Sequence, residues 1–397
     1  MAGKIMKTSE SADRIYKIDL KTSGVFLLDS LIPGLLINHL EGIHCDFVSW
    51  PLFVILRSLI VPMKILFNHH LPYALAHGGT QIQIDQTRAA LEKIGVEVEP
   101  LRWWDMTQSG QVLHHFGRPA TALVRFAQAK GIRVVMADLL TEQGSRTRGR
   151  LWIQKVVTHA MKRYLPGSIT GAFQWDSYRL ADACVAVTRW EAELMAELFG
   201  APKEKLHVVP NGVEEVFLES KPAARGAWLV CTATITERKR VLELAEAAVA
   251  ARAPLWVIGR PYAENDAYYE RFRALAQSQP QWVRYEGPIS DRARLAVIYR
   301  EARGFALLST MESLSLSALE AAACGCPLLF SDLPWARTVF GPDARYCPIA
   351  STESTARHLK AFYEAAPALK PPPRPLSWGD VARQLQGIYE SLLKTSR

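Results

Sequence analysis

Two acidic residues, Glu312 and Glu320, bracket the segment Glu312-Ser-Leu-Ser-Leu-Ser-Ala-Leu-Glu320, which runs directly into Ala-Ala-Ala-Cys-Gly-Cys-Pro-Leu-Leu-Phe330. Just upstream, Gly304-Phe-Ala-Leu-Leu-Ser309 is a short apolar run suited to a parallel strand covered on both faces. From Leu316 to Ala323 the composition favours a helix, and Gly325 followed by Pro327 ends it. Glu312 is therefore expected on the loop at the carboxyl end of a strand, and Glu320 about two turns into the next helix. A helix amino terminus offers free N–H groups and the positive end of its dipole to an anion, typically a phosphate. Carboxylates on either side of that seat can accept hydrogen bonds from hydroxyls, which suits a ligand carrying sugar, diphosphate and ribose in a row.

The order Glu, seven residues, Glu, Ala-rich helix, Gly and Pro resembles the donor-site motif of retaining glycosyltransferases of family four. The resemblance implies an α/β fold of the GT-B type, with two Rossmann-like doubly wound domains facing a central cleft. It implies that Glu312 lies beside the donor sugar and Glu320 binds the nucleotide ribose. Ser313, Leu314, Ser315 and Leu316 then bring backbone N–H groups to the diphosphate.

A second cluster, Thr234-Ile-Thr-Glu-Arg-Lys-Arg240, resembles the family loop in which an Arg and a Lys clamp the donor diphosphate. Lys239 matches the family Lys, but Thr234 stands in the Arg position and Arg238 in the Glu position. Arg238 can supply the missing charge from four residues further on. A leaving nucleoside diphosphate needs that charge neutralised as the glycosidic bond breaks. A solvated basic helix start is the other reading, although cations there oppose the helix dipole. Gly259, just past the apolar run Leu255–Ile258, is counted with the donor-binding set. No side-chain nucleophile is evident. Relatives are thought to react on one face, with the leaving phosphate helping to receive the acceptor proton. Family members usually need no metal and the chain has no Asp-x-Asp pair, so neither a metal nor another cofactor is expected.

On the acceptor side, Gly78 and Gly79 follow the first strand of the pattern and precede a helix, where glycines let backbone approach a ligand closely. His69 and His70 end that strand and are candidates to face the acceptor; a structural role is the alternative. Asp138 closes the strand Ile132–Ala137 and could bind or help to deprotonate an acceptor hydroxyl, or simply cap local backbone. Glu142 is a weaker candidate. The segment 146–163 carries Arg146, Arg148, Arg150, Lys155, Lys162 and Arg163 interleaved with Trp152, Val156, Val157 and Ala160. Such a helix can lie on anionic lipid, and many relatives act on lipid-linked acceptors. An ordinary amphipathic helix covering the first domain's sheet is the other reading.

The elements that must position these residues alternate strand and helix from Met63 onward. In the first half, strands are expected at 63–68, 95–101, 131–137, 183–187 and 206–209, with helices at about 80–94, 119–130, 148–164 and 189–199. Pro210-Asn-Gly-Val213 ends the half. The domain reading is 63–213 for the acceptor domain, 214–226 for a linker and 227–375 for the donor domain. Residues 376–397 form a last helix that in the family crosses back to the first domain.

A chain of 397 residues, 49% of them hydrophobic, exceeds the size of a single core. The formal charge of +8 fits anionic donor phosphates or an anionic membrane surface, and no nucleic-acid motif is recognisable. The six Cys residues show no metal-ligand spacing, which suits reduced thiols in a cytoplasmic protein, with the inner face of the membrane as its margin. Residues 1–62 read as foreign to the fold. Their two apolar runs, 25–40 and 47–62, are broken by Asp29, Pro33, Pro51 and Arg57 and are too short to span a bilayer. Translation from Met63 is the expectation, with a membrane-associated leader as its rival.

The function expected is transfer of a sugar from a nucleotide-diphospho-sugar to a hydroxyl acceptor, whether glycan, lipid-linked or small molecule. A non-catalytic nucleotide-sugar-binding partner in polysaccharide assembly is the alternative, motivated by the missing Arg at Thr234.

Overall fold

The computed structural model describes residues 63–394 apart from 72, 74–77 and 220–222. The segment 1–62, on which the expectation about the start of translation falls, lies outside the described residues. From Pro62 onward the chain is one compact unit.

Two six-stranded parallel sheets form its frame. The first, in spatial order β2-β1-β3-β4-β5-β6, consists of β1 (Lys64–His69), β2 (Glu97–Pro100), β3 (Val112–Phe116), β4 (Arg133–Ala137), β5 (Ala183–Ala186) and β6 (Leu206–Val208). The second, in order β12-β11-β10-β7-β8-β9, consists of β7 (Leu229–Thr232), β8 (Leu255–Ile258), β9 (Val283–Tyr285), β10 (Gly304–Leu307), β11 (Leu328–Ser331) and β12 (Arg345–Cys347). Both are doubly wound, and each reverses strand order beside its first strand. In such sheets ligands bind outside the carboxyl ends of the strands at the reversal point. In the second sheet that point lies between β7 and β10, so the loops beginning at Ala233 and Leu308 meet there.

Side chains alternate between two covered faces, as parallel strands require. Ile65 and Phe67 of β1, Val112 and Phe116 of β3, and Val135 and Ala137 of β4 share one core cluster with Trp378, Val381, Leu385 and Tyr389. The C-terminal helix Trp378–Lys394 therefore completes the hydrophobic core of the first half and packs along the helix Gly79–Lys93. Gly212 makes the crossing feasible: a Cβ there would sit 2.6 Å from the Trp378 backbone nitrogen. Val213 and Ser377 pair as a parallel bridge, with the Val213 N–H donating to Leu376 O at 2.9 Å.

Two strands, β3 and β12, were not foreseen. Every residue of β3, Val-Leu-His-His-Phe, is buried. The His114 Nδ1 lies 2.5 Å from the Tyr389 hydroxyl of the crossing helix, and His115 Nδ1 lies 2.8 Å from Asn68 Nδ2. Burial holds the His114 pKa down at about 3 and that of His115 at about 4. Both rings are thus neutral core residues at physiological pH.

Candidate active site

The loop after β10 is pinned to the loop after β7 by backbone. The Thr310 N–H donates to Arg238 O at 2.9 Å, and the Arg238 guanidinium donates to Met311 O at 2.6 Å. This pinning brings the cationic pair and the first acid together. Lys239 Nζ forms an ion pair with Glu312 Oε1, and Arg238 Nη1 stands 3.4 Å from the same oxygen. The cations lie in a short turn, Glu237–Lys239, before the helix Val241–Ala251; Arg240, at φ 54°, makes the corner between them. They therefore do not oppose that helix's dipole from within its first turn.

The helix Leu316–Ala323 starts behind this loop, and the Ser315 hydroxyl caps it by accepting from the Ala318 N–H at 3.4 Å. Leu314, Ser315 and Leu316 make no hydrogen bond through backbone N–H among the described residues. All three residues, at the positive end of the dipole, line the gap between the halves. Glu320 is the fifth residue of the helix, little more than one turn in rather than two. It is 6% exposed and ion-paired with Arg292, which also donates to Glu214 Oε2 at 2.7 Å. The Tyr299 hydroxyl donates to Glu320 at 3.4 Å. Burial raises the Glu320 pKa, while the charge of Arg292 opposes that rise. Burial also works against the Arg292 charge, but Glu320 and Glu214 more than offset it and leave its pKa raised.

Between the halves lies a cavity of about 530 Å³. Its second-half wall carries Thr234, Arg238, Lys239, Gly259, Arg292, Glu312 through Leu316, and Glu320. The opposite wall is formed by Gly78, Gly79 and the start of their helix, with Leu139, Thr141 and Asn211. Gly259 has φ 153°, and a Cβ there would lie 1.9 Å from Ala233 O, so only glycine lets the loops after β7 and β8 lie side by side at this wall. Hydrogen bonds cross between the halves: Thr141 Oγ1 to Ser313 Oγ at 2.8 Å, Glu312 N to Ser145 Oγ at 3.3 Å, and Asn211 Nδ2 to Leu314 O at 3.3 Å. Gln86 adds a fourth, donating to Glu214 at 2.9 Å.

Not all the candidate residues converge here. Asp138 accepts from the Tyr178 hydroxyl and is ion-paired with Arg118 at 3.3 Å, and it does not line the cavity. His69 stacks on Tyr73 with ring centroids 4.9 Å apart, and His70 meets His115 edge-on at 4.9 Å; neither lines the cavity. Glu142 pairs with Arg146 at the surface. Thr234 and Arg238 both line the wall. Conversely, Arg292 and Thr141 are wall residues with no sequence signal of their own, and Asn211, read from Pro210-Asn-Gly-Val213 only as part of a turn, lines the wall too. Arg292 follows the helix cap Asp291 and reads as an ordinary surface cation.

Arg292 is predicted to be what makes a buried, ionised Glu320 tolerable. Arg292→Met should destabilise the fold by up to about 3 kcal/mol, the low end for breaking a buried pair because Arg292 is partly exposed. The same change in a Glu320→Gln background should cost far less. Urea unfolding of the four proteins checks this, and equal losses in both backgrounds would contradict it.

Two family models match the chain: "Glycosyltransferase Family 4" over residues 111–216 and "Glycosyl transferases group 1" over residues 226–365. Among curated relatives, the D-inositol 3-phosphate glycosyltransferase of Acidothermus cellulolyticus is 30% identical over 175 residues, 39% of each chain. That of Xylanimonas cellulosilytica is 30% identical over 177 residues, 40% of this chain and 42% of the relative. The matched segment thus spans about two fifths of these relatives' length. Sucrose-phosphate synthase from Thermosynechococcus elongatus superimposes with a TM-score of 0.58 at 16% identity, over 84% of this chain and all of that one. Anabaena HepE, crystallised with UDP, gives 0.55 at 14% identity over 83% of this chain and all of that one. Model matches in both halves and a shared architecture agree: the chain belongs to the family-four, group-1 glycosyltransferases and has their GT-B fold.

Proposed function

We propose that the chain transfers a hexose-like unit, with retention of configuration, from a nucleotide-diphospho-sugar to a hydroxyl acceptor bound in the same cavity. One observation carries this reading. Two buried carboxylates, each held by a cation, flank the free end of a helix in a cavity at the strand-reversal point of the second sheet. In this reading the diphosphate docks on the N–H groups of Leu314 to Leu316, and Lys239 turns from Glu312 to it. Glu312 is then free to accept a sugar hydroxyl, and Glu320 those of the ribose. As the glycosidic bond breaks, negative charge grows on the departing phosphate. Lys239, Arg238 and the helix end stabilise it in a site from which closure excludes water. The acceptor hydroxyl attacks on the face the phosphate leaves, and its proton passes to that phosphate. Side chains thus meet the diphosphate charge without a metal, and Asp138, already committed to Arg118 and Tyr178, takes no proton.

A UDP-sugar is the first donor to test, since HepE has been crystallised with UDP and with UDP-glucose. The relatives' names put a phosphorylated polyol among the acceptors to try, beside glycans and lipid-linked acceptors.

A cytoplasmic enzyme meeting the inner membrane face is the further part of this reading. Trp152, Ile153, Val156 and Val157 on the helix Arg148–Tyr164 are 66%, 58%, 48% and 49% exposed, while only Leu151 and Thr158 are buried. The stripe therefore points to solvent rather than onto the sheet. The helix carries no acidic residue, which suits anionic lipid. Among the described residues no helix is long and apolar enough to cross a membrane.

With a panel of UDP-, GDP- and ADP-sugars, the wild type is expected to turn over at least one donor. Glu312→Gln and Lys239→Ala should each lower kcat by about 100-fold, the scale of removing one charge-stabilising group. Binding without turnover, indifferent to Glu312→Gln, would favour a non-catalytic binder. In flotation assays the protein should rise with anionic but not neutral vesicles, and Trp152→Asp with Ile153→Asp should abolish this. Absence of binding to both vesicle types would remove the membrane reading.

A further inference from the structure

Glu191 is the third residue of the helix Arg189–Phe199 and is 1% exposed. Thr188 caps that helix, accepting from the Glu191 N–H at 3.1 Å. A Thr followed three residues later by Glu ordinarily makes a local capping box. Here the Glu191 side chain is engaged elsewhere. Its Oε1 accepts from the Leu140 N–H at 2.9 Å, and the Ser313 hydroxyl also faces the carboxylate. The second oxygen, Oε2, has no well-formed hydrogen bond among the described residues. A buried carboxylate with so weakly bonded an oxygen is costly to keep; a contact from the Val187 backbone at the helix start is local, but those with Leu140 and Ser313 lie outside the helix.

Leu140 and Ser313 belong to opposite halves, Ser313 on the cavity wall and Leu140 between the wall residues Leu139 and Thr141. Leu140 begins the first-half loop whose Thr141 and Ser145 cross to Ser313 and the Glu312 N–H. Ser313 is the residue directly after the acid assigned to the donor sugar. The helix Pro334–Phe340 of the second half packs against both Thr141–Ser145 and Arg189–Phe199, so this corner is where the halves meet.

We propose that Glu191 is a positioning residue: from behind the cleft wall it holds the donor loop through Ser313 and the acceptor-side loop through Leu140, fixing the closed register of the two halves. It acts through those two residues and does not line the cavity. Burial lifts its pKa to about 7, outweighing the contacts from Ser313, Leu140 and Val187 that favour the ionised form. Several charged groups sit on the elements packed around it. Asp138 is ion-paired with Arg118, Lys155 with Glu197, and Arg337 with Asp332, while Glu312 pairs with Lys239. Of these, Asp138 is the one whose charge adds to the rise. The clamp is therefore strongest above pH 7 and weakens as the carboxyl takes up a proton.

The kinetic arm of the test rests on the transfer reading; the conformational arm does not. Glu191→Gln keeps the volume and one carbonyl oxygen for the Leu140 N–H but cannot ionise. With a donor the wild type uses, wild-type kcat should climb through about pH 7, and the Gln variant should show no such step. Its kcat at pH 8 should fall roughly tenfold, within what a small misplacement costs, with donor KM within about twofold of wild type. Ser313→Ala should behave alike, and the double variant should be no worse than the worse single, as expected for one unit. Small-angle scattering with UDP at pH 8 should show Glu191→Gln more open than wild type at an unchanged melting temperature. Additive losses, or an unaltered pH profile and scattering curve, would overturn the proposal. Opening of the variant in a protein whose wild type uses no donor would support the clamp and count against transfer.

Discussion

An ionised carboxylate survives at the bottom of a protein cleft only where a cation and hydrogen bonds replace the water it has lost. Glu312 and Glu320 meet that constraint with Lys239 and Arg292, and much of the second half follows from it. Lys239 must come from the loop after β7, so that loop is pinned to the one after β10 by Thr310 and Arg238. Arg292 must reach back to Glu320, and it does so while held by Glu214 at the junction between the halves. The cations are also the groups an anionic ligand would recruit. On the proposed reading, Lys239 leaves Glu312 to meet the diphosphate charge of the donor.

The same constraint shapes the polar ties between the halves. Gln86 donates to Glu214, which holds Arg292, which holds Glu320; a first-half helix is thereby linked in three steps to the acid assigned to the ribose. Thr141, Ser145 and Asn211 bond directly to the donor loop. The C-terminal helix adds a continuous hydrophobic tie by burying Trp378 and Tyr389 in the first half's core. Polar bonds that can exchange lie next to the site, and apolar packing that cannot lies behind it. Such a division permits the halves to close without separating.

How much of this was legible varies with the physics of each residue. The loop after β10 was readable because a strand, a Ser-capped helix and a Gly-Pro stop leave a local signature around Glu312 and Glu320. Strand β3 was not, because His114 and His115 interrupt its apolar run; only tertiary partners, Tyr389 and Asn68, make those rings core residues. Strand β12, Arg345–Cys347, is too short and polar to declare itself. Arg292 and Glu191 look like a surface cation and a helix cap, and their roles come from contacts far away in sequence. Asp138 shows the reverse: a strand-end position suggests cleft chemistry, but its Oδ2 is engaged by Arg118 and Tyr178 and the residue does not line the cavity. In the helix Arg148–Tyr164, periodicity revealed an apolar stripe but could not say which way it faced.

The central claim is that a nucleoside diphosphate seats on the front of the helix Leu316–Ala323 between the two acids. A crystal structure with UDP bound tests it most directly. The account predicts phosphate oxygens within hydrogen-bond distance of the N–H groups of Leu314 to Leu316, ribose hydroxyls on Glu320, and Lys239 turned from Glu312 to the diphosphate. UDP lodged elsewhere, or seated there with the Lys239–Glu312 pair intact and the ribose away from Glu320, would contradict it.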